Sequence, residues 1–539
     1  MRYSRFLPVT VLAVLVSALV GGLFGSNVAA RQDEVTQQYR VFTAALAAIE
    51  REYVDEVTSD RLVYSAVDGM LKTLDPHSSF FDPKSYAQMR ERQEGKYYGL
   101  GIQIQVIDGD ITVMSIFEGS PAYKKGLRRG DVIARILDQD AKGWTSEQAV
   151  NKLKGPKGTT VSIALRRRGY EELIPLEVER DEVNIVTVRV AFMIDKETGY
   201  VKLGDFSETS DAEVGAALKK LTDAGMKRLV FDLRDNPGGP LDQAIKISNR
   251  FLPRGDLIVY TRGRVPNSDQ DYRAREEGQY TNLPVVVLVN RSSASASEIV
   301  SGALQDHDRA LIVGETTFGK ALVQSVYRIS GNAGLALTTG RYYTPSGRMI
   351  QRPWDGSFDE YLTYSLREQK QREHSPTELK KTDSGRDVYS GGGIEPDKFM
   401  VGPVEGFNPT RFGRTLFARF AFPNFADRFT AEGDTRLSVA NKNRKSVARG
   451  FELTDAMVAE FKDSLKSQNI VLDDASFAKD EPFIRAMIRY DIDLALFGVA
   501  EARKNLIAKD PQAQFALSQF PDAVRLSETS SRARVPGGR

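Results

Sequence analysis

A chain of 539 residues with 41% apolar content has room for three or four domains of about 150 residues and for a substantial core. Its 74 basic and 72 acidic residues leave a net charge of +2, so there is no field of the kind that gathers nucleic acid or an acidic substrate. Cysteine is absent, which excludes a thiolate nucleophile, cysteine-ligated zinc and disulfides. The three histidines, His77, His307 and His374, leave few donors for a metal cluster or a Ser-His-Asp triad.

Arg2 and Arg5 precede an apolar run from Phe6 to Phe24, and Val28, Ala29 and Ala30 follow it. Basic residues ahead of an apolar stretch mark an export segment, and small residues behind it mark a cleavage site. The run is also long enough to span a bilayer, so residues 1–30 read equally as a signal peptide or a retained transmembrane anchor. In both cases the rest of the chain is expected across the membrane, which predicts an extracytoplasmic location, in the periplasm or cell envelope. Residues 31–95 read as a helical domain, with Val41, Phe42, Ala45, Leu46 and Ile49 at helical spacing before the loop Asp75-Pro76-His77-Ser78.

From residue 96 to 181 the period shortens. Ile102, Ile104 and Val106, then Ile111 and Val113, alternate as strands; a short helix at 146–153 and a strand at 161–165 complete a compact β-rich module. Residues 182–400 read strand, helix, strand: strands at 200–203, 228–233, 285–289 and 310–313, with helices at 211–224, 241–251 and 295–305. That alternation favours an α/β sheet with right-handed crossovers. The polar stretch Arg262–Asn282 reads as a flexible flap. In residues 401–539, Ile484, Met487, Ile488, Ala495, Leu496 and Val499 mark one helix face for core packing, and the last dozen residues read as disordered.

Three turns between 232 and 320 carry the chemistry. Asn236-Pro237-Gly238-Gly239 ends a strand; glycines there let backbone N–H groups face a ligand. No lysine and hydroxyl follow it, as a phosphate loop would require. Next, a wholly apolar strand runs through Ser293, Ser295 and Ser297 into a helix. A serine at a helix start sits beside unpaired N–H groups, which suits a nucleophile, and equally suits an N-cap. The third turn, Gly314 to Gly319, delivers Lys320 to an apolar strand start. A lysine acts as a base only when neutral, which requires its pKa to fall from about 10.4 toward 7 or 8, at a cost of roughly 3–4 kcal/mol. Spacing alone does not separate the three serines, and His307, after Asp306, is a rival base.

Taken together, Ser293-Ala294-Ser295-Ala296-Ser297-Glu298-Ile299, Gln305-Asp306-His307, Gly314-Glu315, Phe318-Gly319-Lys320 and Gln324 resemble the carboxyl-terminal processing peptidases, also called tail-specific proteases, of the S41 serine peptidase family. Asp75-Pro76-His77-Ser78, Asn236-Pro237-Gly238-Gly239, Tyr343-Thr344-Pro345-Ser346-Gly347 and Gly393-Ile394-Glu395-Pro396-Asp397 occur in the family's order, so the likeness spans about residues 35–400. The β-rich module resembles a PDZ domain, through Gly99-Leu100-Gly101-Ile102, Gly119-Ser120-Pro121-Ala122 and Gly130-Asp131-Val132-Ile133.

The resemblance implies a multidomain α+β chain: an N-terminal helical segment, a PDZ domain (96–181), an α/β peptidase core of the crotonase-like ββα kind (182–400) and a largely helical extension of unassigned role (401–539). It implies a serine endopeptidase with Ser295 as nucleophile, Lys320 as base and Gln324 orienting that base. The backbone N–H groups of Gly238 and Ala296 would form the oxyanion hole. Gly99, Leu100, Gly101 and Ile102 would bind the carboxylate of a substrate tail, and Asp306 would be structural. The expected partners are proteins or peptides with apolar free C-termini; a homo-oligomer and an inner-membrane tether are both compatible, and no metal, cofactor or nucleic acid is called for.

Overall fold

The computed structural model describes residues 35–539 except 168, 355–360, 367–372, 403–408, 434–443 and 535–539. The apolar run Phe6–Phe24 lies outside the described residues, among which no helix is long and apolar enough to cross a membrane. The chain divides into two units: residues up to Lys84 with Val326–Leu337, and Ser85–Ser325 with the chain from Thr338 onward.

In the first unit, residues 35–52 and Ser59–Lys72 are helical. The strand Ser79–Phe81 pairs antiparallel with the chain at Gly334–Ala336. The Asp75 carboxylate shapes the loop between them, accepting the N–H groups of His77 and Ser78 at 2.8 Å and the Ser78 hydroxyl at 2.7 Å. The helical face expected around Phe42 and Ile49 is present, yet both remain 43% exposed.

The second unit holds the rest. Its β-rich module is a sheet in the order Ile102–Ile107, Asp110–Ile116, Val132–Ile136, Thr160–Arg166, Ile174–Glu179, with Gln139–Asp140 at the side of Val132–Ile136. The alternation at Ile111 and Val113, and the helix Ser146–Leu153 with its Thr145–Gln148 capping box, close over a core of Leu100, Ile133, Val161 and Leu165.

A second sheet is ordered Val188–Met193, Thr198–Leu203, Arg228–Asp232, Val285–Val289, Leu311–Gly314, Lys398–Phe399. Its first pair is antiparallel and every later pair parallel. Val285–Val289 is apolar throughout because it is buried on both faces. Val285, Val287 and Val289 face the crossover helices Ser210–Asp223, Leu241–Asn249 and Ala296–Asp306. Val286 and Leu288 face Ile507, Ala513, Ala516, Phe520 and Ala523. The 401–539 extension therefore covers the second face of the sheet.

The extension carries a core of its own, with Phe422, Phe425, Phe461, Ile484 and Ile488 fully buried or nearly so. It also reaches the β-rich module. Asp491, 2% exposed, pairs with Arg129 at 2.5 Å, and burial pushes that carboxyl up to about 6.

Three expectations are corrected. Within Arg262–Asn282, Gln270–Arg273 is a strand paired antiparallel with Leu257–Arg262; its polar composition suits an exposed sheet edge. Of the face read from Ile484 to Val499, Ile484, Met487 and Ile488 are buried together with Ile492 and Leu496 packs against that core, but Ala495 and Val499 are exposed, and the helix Asp474–Phe497 stops at Gly498, φ 88°. Of the last dozen residues, expected to be disordered, 528–534 belong to the helix Phe520–Arg534, anchored by buried Phe520 and Ala523, and 535–539 lie outside the described residues.

Candidate active site

Parallel strands present their carboxyl ends together, and ligands in open α/β sheets bind there. The turns after Asp232, Val289 and Gly314 meet at that edge. Asn290 laces the first two: its Oδ1 accepts the Asp235 N–H at 2.9 Å and its Nδ2 donates to Asp235 Oδ1 at 2.8 Å. The Ser293 hydroxyl donates to the Leu233 carbonyl at 2.8 Å. The Ser297 hydroxyl and the Ala294 N–H both donate to the Asn236 carbonyl at 3.0 Å.

These braces hold Ser295 at φ 53°, ψ −112° at the start of the helix Ala296–Asp306, a conformation that costs a residue with a β-carbon about 1–3 kcal/mol. Gly238, φ 93°, packs against this turn. A Cβ there would lie 2.7 Å from the Ala294 carbonyl oxygen and 2.8 Å from Ser295 Cβ and Ala296 N, so only glycine fits. The Gly238 N–H is donated to Asn236 Oδ1 at 2.9 Å.

Lys320 is half-buried at the head of Leu322–Arg328, and its Nζ donates to Gln324 Oε1 at 3.0 Å. Two side chains tie its backbone to that of Ser295. The Tyr342 hydroxyl lies 2.6 Å from the Lys320 carbonyl oxygen and 3.2 Å from that of Ser295. Glu298, wholly buried, accepts the N–H groups of Ser295 at 2.8 Å and Lys320 at 2.9 Å on one oxygen. Its other oxygen accepts the Gly319 N–H at 2.7 Å and the Thr317 hydroxyl. Burial pushes Glu298 up to about 7, against the pull of those donors.

These contacts brace the backbones of Ser295 and Lys320 and the turn of Gly238 against one another. His307 lies at the far end of the helix, its Nδ1 2.7 Å from Asp383 Oδ2 and its Nε2 2.6 Å from the Leu257 carbonyl oxygen. Burial works to lower its pKa, but those two partners outweigh burial and raise it. Asp306 accepts the Ser346 N–H at 2.9 Å and pairs with buried Arg348. Glu298 and Tyr342 went unassigned in the sequence. Ser295-x-x-Glu298 has the form of a capping box, a signal that could have found the first; nothing local marks the second.

Glu298→Gln is expected to lower kcat/KM about 10²-fold and stability by about 2–5 kcal/mol, since an amide nitrogen facing N–H donors leaves buried groups unpaired. Its pH signature separates the two effects. Because the folded value lies above 4.5, the wild-type carboxyl contributes most stability below pH 4.5 and loses it, on the order of 3 kcal/mol, as pH rises through about 7. Activity moves oppositely, since only the carboxylate accepts all four donors. Denaturant titrations and initial rates from pH 5 to 8, wild type against variant, check this; parallel pH slopes in both proteins would refute it.

In the β-rich module, the turn Gly99–Gly101 leaves Leu100 2% exposed in the core. The Leu100 carbonyl accepts the Ala122 N–H at 2.9 Å and the Gly101 carbonyl accepts that of Phe117 at 2.9 Å. Burial pushes the Tyr97 phenol up to about 12, tempered by the N–H groups of Gly101 and Ile102.

Three family models match the chain: peptidase family S41 over residues 197–355, the PDZ domain over 88–166, and the N-terminal domain of the activating protease CtpB over 25–85. A carboxy-terminal-processing protease of Bartonella bacilliformis is 39% identical over 56% of this chain and 70% of its own length. The carboxy-terminal processing protease CtpA of Bacillus subtilis is 32% identical over 65% of this chain and 75% of its own. Among solved structures, a photosystem II D1 C-terminal processing protease is 27% identical over 67% of this chain and 92% of its own, with a TM-score of 0.35.

Proposed function

The chain belongs to peptidase family S41, as a carboxy-terminal processing serine protease with a PDZ domain, and on that premise we propose that it cleaves exported proteins near their C-termini through a Ser295/Lys320 dyad. The observation that carries this reading is the shared bracing of the two residues: one carboxylate, Glu298, accepts both backbone N–H groups, while Lys320 Nζ rests on Gln324 Oε1.

Neutral Lys320 takes the Ser295 hydroxyl proton as Oγ attacks the substrate carbonyl carbon. Negative charge collects on the carbonyl oxygen, where the N–H groups of Ala296 and Gly238 receive it; Gly238 exchanges Asn236 Oδ1 for the oxyanion. Each such donor is worth about 2.7–4 kcal/mol at the transition state. Collapse expels the amine, which takes the proton from Lys320, and leaves an acyl-enzyme on Ser295. Lys320 then removes a proton from water as the hydroxide attacks the acyl carbon; the acyl–Oγ bond breaks, Lys320 returns the proton to Ser295 Oγ, and the new carboxyl terminus leaves.

Substrate choice falls to the PDZ domain. The N–H groups at Gly99–Ile102 suit a terminal carboxylate, and an apolar tail would add along the neighbouring strand edge. The export reading of Arg2, Arg5 and Phe6–Phe24 places this activity outside the cytoplasm. The test uses the full-length Ser295→Ala protein and matched peptides with apolar tails, free-acid and amidated. Amidation is expected to weaken binding about 10-fold, the cost of losing hydrogen bonds to a charged group. Equal affinities would exclude tail capture by the carboxylate.

A further inference from the structure

The family models leave residues 401–539 without a role, yet two residues of that extension reach the turn behind the candidate oxyanion donor. Arg234 sits immediately before Asp235-Asn236-Pro237-Gly238 and is 8% exposed. From below it is held by Asp232, which accepts its Nη2 at 2.7 Å and its backbone N–H at 2.9 Å. From above, the extension completes the grip: Asp510 pairs with Arg234 Nη2 at 2.7 Å, and Gln512 Oε1 accepts its Nη1 at 3.0 Å.

Gln512 is 9% exposed and uses both ends of its amide. While Oε1 takes Arg234, Nε2 donates to the Met400 carbonyl at 3.2 Å. Two residues on, the Gly402 N–H donates to Glu315 Oε1 at 2.9 Å and the Gly402 carbonyl accepts Arg291. Arg291 opens the turn that carries Ser295, and it pairs with Glu315. One side chain of the extension thus spans the backing of both catalytic turns. The fit is close: a Cβ on Gly402 would lie 2.7 Å from Gln512 Nε2. Asp510 is fixed in turn by capping the helix Pro511–Ser518, accepting the N–H groups of Gln512 at 3.0 Å and Ala513 at 3.2 Å.

We propose that Gln512 and Asp510 are positioning residues of the peptidase site, acting through Arg234 to set the turn that presents the Gly238 N–H to the oxyanion. The inference rests on the reading of Ser295 as nucleophile and Gly238 as oxyanion donor. A glutamine is suited to the task because it accepts from a guanidinium and donates to a carbonyl at once; leucine does neither, and glutamate keeps only the first. The consequence is specific to the transition state: a displaced N–H loses its bond to the oxyanion while the peptide strand and its tail bind as before.

The test is kinetic, on the full chain, with Gln512→Leu, Gln512→Glu and Asp510→Asn. Each is expected to lower kcat about 10-fold, part of the 10²–10³-fold that losing an oxyanion donor costs, with KM within about twofold. Affinity for a peptidyl boronic acid, which becomes a tetrahedral anion on the serine, is expected to fall by the same factor as kcat/KM. Affinity for the amine-side product peptide should not change. A purely structural role would instead lower the melting temperature and the fraction of titratable sites, leaving kcat per site and boronate affinity at wild-type values; that result in Gln512→Glu and Asp510→Asn overturns the proposal, even if Gln512→Leu fails to fold. Ser295→Ala serves as the separate control: if it binds the boronic acid as tightly as wild type, the reading of the site fails.

Discussion

Ser295→Ala is expected to abolish peptide hydrolysis, a loss on the scale of 10⁶-fold in kcat as for removal of other serine nucleophiles, with the fold retained. Two neighbouring serines provide the contrast. The hydroxyls of Ser293 and Ser297 are buried and spent on the Leu233 and Asn236 carbonyls, where they join the turn of Ser295 to the turn of Gly238. Removing either deletes one of two hydrogen bonds to a buried carbonyl, at about 0.5–1.5 kcal/mol of stability. Ser293→Ala and Ser297→Ala should therefore melt earlier than wild type yet still turn over substrate. Initial rates on a peptide reporter, beside thermal melts, check both halves. Inactivity of Ser293→Ala or Ser297→Ala with an active Ser295→Ala would reassign the nucleophile.

Lys320→Ala is expected to lower kcat at least about 10²-fold, the lower range for loss of a general base. Lys320→Arg should not rescue it, because a guanidinium stays protonated at any pH the enzyme works in. His307→Asn should keep substantial activity, since both ring nitrogens are committed to Asp383 and the Leu257 carbonyl. Its stability should drop, most clearly at low pH. The His307 pKa is raised in the fold, so its contribution is full below the unfolded value of about 6.5 and fades as pH climbs through the folded one. Rates that depend on His307 rather than Lys320 would overturn the dyad.

The parallel core was readable because its pattern is local. Val285–Val289 is apolar at every position, small residues follow, and a helix begins where serine and alanine leave the sheet. Pattern alone left the serines unresolved, because the hydroxyls of Ser293 and Ser297 bond across the two turns to carbonyls about sixty positions away in sequence. The same holds for Glu298, whose burial against Lys320 depends on a turn more than twenty residues later. Arg234 and Gln512 meet across a separation of 278 positions, beyond any periodicity. Conversely, the strand Gln270–Arg273 escaped notice because an exposed edge strand needs no apolar alternation.

The extension was the least legible part, and the sheet explains its presence. A parallel sheet needs both faces covered; the crossover helices cover one, and Ile507, Ala513, Ala516 and Phe520 cover the other. From there the extension runs to the PDZ domain through Asp491 and Arg129. It therefore joins the PDZ domain, the sheet and the turns that carry Gly238 and Ser295 within one unit.

The central claim, that peptide bonds are broken by acyl transfer to Ser295, is tested most directly by trapping the intermediate. Wild-type protein is mixed with an activated ester of a peptide with an apolar tail, quenched in acid during turnover, digested and weighed by mass spectrometry. The acyl mass is predicted on the fragment containing Ser295, localised to that residue and missing from Ser295→Ala. An acyl group on another residue, or steady turnover with no acylated fragment at all, would contradict the account.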